Sequence, residues 1–176
     1  MINYFELYGL PESFHPDATA VKKKYYELSR QYHPDRFAQA DDAQRADVLH
    51  MAALNNDAYK MLNNTDATMA YILKLHSLLE DEEKYNLPSS FLMEMMDLNE
   101  LVSEYEMEPG SDILKEQLKE TMDDQLQQWD AETAPLTQKF DAANPDNALL
   151  LRIKEYYFRK KYLLRVQERI NTFASR

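Results

Sequence analysis

The chain has 176 residues, 44% of them apolar and 29% charged, enough to bury a core without covalent staples. It has no cysteine and only two glycines, which excludes disulfides, thiol nucleophiles, zinc ribbons, cysteine-ligated clusters held by this chain alone, and glycine-rich phosphate loops. The net charge of −11 disfavours nucleic acid and anionic membrane as bulk partners, and it is uneven, −2 over residues 1–75 and −9 over residues 76–176.

So few glycines and turn dipeptides point to an all-α fold. Asn3 is placed to cap a short helix running to about Tyr8, stopped by Gly9 and Pro11. Asp17 caps a second helix, whose Val21, Tyr25, Leu28 and Tyr32 form one apolar stripe with Lys22, Lys23, Lys24 and Arg30 lying off it. Pro34 disfavours helical geometry at His33 and ends this helix there. A third helix opens at Asp41-Asp42, buries Val48, Met51, Ala58, Tyr59 and Leu62, and ends at Asn63-Asn64. A fourth spans Asp66 to about Leu79.

The acidic stretch 80–88, closed by Pro88, reads as a joint between a first domain (1–79) and a second (89–176). Three longer helical patterns follow, at about 89–106, 111–143 and 146–173. Leu114, Leu118, Met122, Trp129, Leu136 and Phe140 line the middle one, where Pro135 is expected to kink the helix or end it near 131–134. The N-terminus has no basic and apolar leader pattern, and no uncharged stretch is long enough to span a membrane. A soluble cytoplasmic protein is expected.

The segment Tyr32-His33-Pro34-Asp35-Arg36-Phe37 lies between two helices whose apolar stripes can face each other, so its polar groups are displayed at a hairpin tip. Asp35 can meet a partner arginine bidentately, His33 offers a donor and an acceptor, and Arg36 offers a planar fork of donors. Together with Tyr4-Phe-Glu-Leu-Tyr-Gly-Leu10 and Asn56-Asp-Ala-Tyr59-Lys-Met-Leu62, in the same order and spacing, this segment resembles J-domains. The resemblance implies a four-helix J-domain with a helical hairpin that binds a DnaK-type chaperone ATPase and stimulates its ATP hydrolysis. It implies a required role for His33, Pro34 and Asp35, and docking through Lys22, Lys23, Lys24, Arg30 and Arg36. Tyr26 and Glu27 stand where general-purpose J-proteins carry two basic residues, which implies a dedicated ATPase.

The helix after Pro88 carries a second signal. Projected at 100° per residue, Phe91, Met95, Leu98, Val102 and Tyr105 fall within about 40° of one direction, a complete core stripe. Leu92, Met93 and Met96 fall elsewhere, beside Asp97, Glu100 and Glu104, as either a docking patch or a wider buried face. Ser90 to Leu101 resembles the start of the C-terminal domain of HscB-type J-proteins, as does the order of J-domain, acidic joint and three-helix bundle. This resemblance implies a non-enzymatic co-chaperone without cofactor. It would bind an IscU-type iron–sulfur scaffold through Leu92, Met93, Met96, Asp97, Glu100 and Glu104, completed by Phe158 (or Tyr157) on the last helix, and deliver it to an HscA-type ATPase. The lack of an N-terminal cysteine-rich piece points to a bacterial type.

Burying the apolar trio gives roughly 5–9 kcal/mol gross, and association costs on the order of 4–15 kcal/mol. A weak, releasable complex aided by the acidic rim is therefore expected. His15, His50 and His76 have no metal-binding spacing, and no carboxylate pair demands acid–base chemistry. The rival readings are a J-protein with a different client, and a helical enzyme using His33 and Asp35.

Overall fold

The structure, a computed structural model, describes residues 2–174, all helix and connecting turns among those residues. In chain order the helices are α1 (Tyr4–Tyr8), α2 (Ala18–Gln31), α3 (Asp42–Leu62), α4 (Thr65–Leu75), α5 (Ser89–Glu94), α6 (Met96–Met107), α7 (Asp112–Gln138) and α8 (Asn147–Ala174). The chain divides into two compact units, Met1–Leu79 with Phe140–Pro145, and Glu80–Lys139 with Asp146–Arg176.

In the first unit, Asn3 and Asp17 cap α1 and α2 by accepting from Phe5 N–H and from Thr19 and Ala20 N–H. α2 and α3 pack antiparallel, with the Tyr25 and Tyr59 rings stacked at 4.3 Å and Ser29 opposite Asn55. Val21, Leu28, Val48, Ala58, Leu62, Met69, Ile72 and Leu73 are buried between the helices.

A buried polar knot runs through this core. Asn55, 2% exposed, accepts from the Tyr8 hydroxyl at 2.8 Å and donates to Tyr25 O at 3.0 Å and Ser29 Oγ at 2.9 Å. It thereby ties α1, α2 and α3 together, and burial pushes the Tyr8 phenol well above its ordinary pKa. Asn55→Ala leaves buried partners unsatisfied and is expected to cost about 2 kcal/mol of unfolding free energy, measurable by urea denaturation; an unchanged midpoint contradicts this.

α4 begins at Thr65, capped by Asn64, and ends at Leu75, short of the expected Leu79. The chain closes it with a Schellman arrangement: Leu78 N–H donates to Leu73 O, Ser77 N–H donates to Lys74 O, and Ser77 adopts φ +57°. A serine in that left-handed position gives no glycine signal, which is why the stop is invisible in the pattern.

In the second unit, α6 runs parallel to α8, pairing Asn99 with Tyr162 and Glu106 with Arg169, while α7 and α8 form an antiparallel hairpin. Leu98, Val102, Tyr105, Leu118, Met122, Trp129, Leu150, Ile153 and Leu163 fill its core. Two expectations are corrected here. The helix after Pro88 is interrupted at Met95 (φ −84°, ψ −1°), whose carbonyl accepts both Asn99 N–H and the Asn99 side-chain amide.

Pro135 does not end α7, which continues to Gln138. It sits in the last turn, where few ladder bonds remain to lose. Buried Thr133 and Thr137 donate to Trp129 O and Ala134 O, and buried Leu136 holds that turn to the core. Phe140 lies beyond this helix and belongs to the first unit, its ring edge-on to Phe14 at 5.0 Å and to His76 at 5.9 Å.

Candidate docking surfaces

The hairpin tip of the first unit is a short 3-10 turn, Pro34–Phe37, rather than an irregular loop. Pro34 supplies its first residue without needing an N–H donor, and His33 caps it, Nδ1 accepting from Asp35 N–H at 3.3 Å. The Asp35 carboxylate lies 3.7 Å from His33 Nδ1, and its side chain is 89% exposed. Arg36 folds back on α2, donating to Arg30 O at 3.0 Å. This turn stabilises no core; it fixes a carboxylate and an imidazole in view of solvent.

On α2, Lys22, Lys23, Tyr26 and Arg30 project into an arc of about 100°, on the side opposite buried Val21 and Leu28. All four are exposed, and Tyr26 keeps 53% of its surface. Lys24 stands off this arc and pairs with Glu27 at 3.0 Å. The local charge of Glu27 is thus answered within the helix. Tyr26 brings an aromatic ring into the middle of the basic face.

In the second unit the core stripe is buried as its spacing demands: Phe91, Met95, Leu98, Val102 and Tyr105 are all at or below 4% exposure. Leu92, Met93 and Met96 remain exposed at 43%, 69% and 63%, and Asp97, Glu100 and Glu104 are exposed too. Of the two readings left open by periodicity, the wider buried face is excluded. One helical arm carries a complete core face and a separate apolar, acid-rimmed one.

Phe158 departs from expectation. Its side chain is only 7% exposed, lying beneath the Tyr85 ring at 4.5 Å with the planes 2° apart. Phe158 therefore packs as core under the 80–88 segment instead of presenting a face to solvent. Tyr157, half-buried and edge-on to Phe158 at 5.2 Å, is the more accessible of the two. Sequence reasoning missed Tyr85, because the acidic joint carried no periodicity to mark it as a packing residue. Desolvation against Phe158 and α8 raises the Tyr85 phenol above its ordinary value.

The same segment is pinned by Glu83, which accepts from Lys154 at 2.5 Å with both side chains mostly covered. That bond holds the Glu83 carboxyl below its ordinary 4.5. A depressed carboxyl contributes stability above the unfolded value and loses it as pH falls through the folded one. The melting temperature is expected to drop on acidification from about pH 5 to pH 3, less steeply for Glu83→Gln; identical pH profiles contradict a role for this pair.

Elsewhere, Arg159 bonds Glu155 at 2.6 Å and lies over the Phe91 and Tyr156 rings, and Trp129 Nε1 donates to Tyr156 O at 2.7 Å. These aromatic groups tie helices together. Among the described residues, no three His, Asp or Glu side chains are placed to hold a metal, and no helix is long and apolar enough to cross a membrane.

Residues 87–171 match the family model described as the HSCB C-terminal oligomerisation domain. Two curated relatives, the co-chaperone protein HscB homologs of Vibrio vulnificus strains YJ016 and CMCP6, are each 37% identical over 104 residues. Those alignments cover 58% of this chain and 61% of each relative, so they span about three fifths of the relatives' length. Among solved structures, chaperone HscB from Vibrio cholerae superposes with a TM-score of 0.72 at 25% identity, covering 97% of this chain and 96% of its own. Human co-chaperone protein HscB shares the fold, with a TM-score of 0.78 at 24% identity over 98% of this chain and 82% of that one. The proteins this chain is similar to are named as chaperones or co-chaperones, not enzymes. Its C-terminal half thus matches the HSCB C-terminal domain, and its fold, a J-domain followed by a helical domain, is that of the solved HscB chaperones.

Proposed function

We propose that the chain is a co-chaperone of the cytoplasm that couples a DnaK/HscA-type chaperone ATPase to an IscU-type iron–sulfur scaffold. Residues 1–79 act as the J-domain, 80–88 as the joint and 89–176 as the client-binding domain. His33, Pro34 and Asp35 engage the ATPase, with Lys22, Lys23, Arg30 and Arg36 steering it and Lys24 contributing at the edge. Electrostatic steering of this kind raises the encounter rate more than the final affinity. The ATPase is thereby biased towards hydrolysis while the second unit holds the client.

The observation that carries the client half is the exposure of Leu92, Met93 and Met96 on an arm whose core stripe is already complete. Large apolar groups left in solvent, rimmed by Asp97, Glu100 and Glu104, have the composition of a docking face. Burial of Phe158 removes it from direct contact unless Tyr85 moves, so Tyr157 is the aromatic on α8 assigned to the rim of this site.

The test is hydrogen exchange on the full chain with an IscU-type scaffold added. Protection is expected on the 92–104 stretch and not on the hairpin tip. Saturable scaffold binding with no protection there supports the rival reading, in which this face serves a different client.

A further inference from the structure

The second unit carries a basic cleft inside a strongly acidic half of the chain. It holds about 390 Å³ and lies between the 83–87 segment and α8. The stacked Tyr85 and Phe158 rings line it, and Lys84, Lys161 and Arg165 stand around it. All three cations are exposed, and among the described residues no carboxylate lies within ion-pairing distance of any of them. Glu83, the one acidic residue in the lining, is engaged by Lys154 at 2.5 Å. Lys161 places its ammonium 5.6 Å and 5.7 Å from the centres of the Tyr157 and Phe158 rings. Arg165 uses only Nε within its own helix, donating to Lys161 O at 3.3 Å.

The spacing selects the ligand. Lys161 and Arg165 are four residues apart on one helix, a rise of about 6 Å. Carboxylates on alternate residues of an extended peptide are separated by about 6.6 Å on one face. A lone phosphate reaches both cations by drawing their side chains together, whereas two such carboxylates match the rise of the helix without that convergence. A long nucleic acid meets the −11 charge of the chain, which repels a polyanion extending beyond the cleft.

We propose that the cleft formed by Lys84, Lys161 and Arg165 over the Tyr85–Phe158 pair binds a short extended acidic segment of a partner protein, acidic and apolar residues alternating. The acidic side chains meet the two cations of α8, and an apolar side chain rests against the aromatic pair. Apart from Tyr157 at its edge, the surface is separate in residues from the Leu92, Met93 and Met96 face and opposite to it in charge.

Fluorescence anisotropy of the full chain with a fluorescein-labelled pentapeptide alternating glutamate and leucine tests this without any chaperone or scaffold, so its outcome is independent of the function proposed above. Saturable binding is expected, weakened at least tenfold by Lys161→Glu with Arg165→Glu and kept by Lys161→Arg with Arg165→Lys. Both positions are exposed, and an unchanged melting temperature verifies that the variants fold. Equal binding by the charge-reversed variant overturns the proposal, as does equal binding of the glutamine version of the peptide. Displacement by inorganic phosphate at constant ionic strength also overturns it, in favour of a small-anion site.

Discussion

Asp35→Asn is expected to abolish stimulation of the chaperone ATPase while leaving the melting temperature unchanged. The two halves of this expectation come from different observations. The Asp35 side chain is 89% exposed and contacts only the imidazole that precedes it, so the fold does not depend on its charge. Once covered by a partner and met by an arginine, the same charge becomes a desolvated, hydrogen-bonded ion. Truncating one member of such a pair costs about 2–5 kcal/mol, or roughly a thirtyfold or greater loss of stimulation at sub-saturating concentration. Asn keeps the shape and one acceptor, which isolates the charge. Steady-state ATP turnover by an HscA-type chaperone measures the effect, and equal stimulation by the variant and the unmodified chain contradicts the assignment.

Met93→Asp is expected to have the largest effect on the other face. Met93 is 69% exposed in the free chain, so the change leaves the core intact. In a complex the loss combines the burial of a large apolar side chain with desolvation of a new carboxylate beside Asp97 and Glu100. The apolar part alone amounts to about 2–3 kcal/mol, which raises Kd roughly 30- to 150-fold. Titration calorimetry with an IscU-type scaffold reads this directly, and unaltered affinity removes Met93 from the interface. Asp97→Asn is the milder companion, because a rim charge acts mainly on association rate and salt dependence.

The legible parts of this protein are those written in period and punctuation. Asn3, Asp17 and Asp41 each accept a first-turn N–H of the following helix, and the stripe from Phe91 to Tyr105 is buried residue for residue. The outward side of that arm follows by subtraction. What escaped the pattern is tertiary. Asn55 looks like any helical asparagine until Tyr8 and Ser29 arrive from two other helices. Phe158 has the spacing of a bundle residue, yet the segment that covers it is an acidic stretch in which Tyr85 is the only ring.

Of the two outcomes expected of Pro135, a kink or an end to the helix, context overrode the second. Pro135 lies so near the end of α7 that two threonines and a buried leucine carry the remaining turn. The end of α4 is made by a serine in a glycine's conformation. The candidate docking residues depend less on such context. Lys22, Lys23 and Arg30 had only to face away from Val21 and Leu28, which the helical period decides on its own. Lys24 shows the margin of that argument, since its partner Glu27 sits one turn along the same helix.

On this proposal one chain holds the ATPase and the scaffold at once and makes each sensitive to the other. The most direct measurement is ATP turnover by an HscA-type chaperone with the full chain, with an IscU-type scaffold, and with both together. The rate with both is expected to exceed the sum of the separate increments, and Met93→Asp is expected to remove that excess while sparing the stimulation given by the chain alone. Purely additive rates, unchanged by Met93→Asp, would show that the two faces work without being coupled.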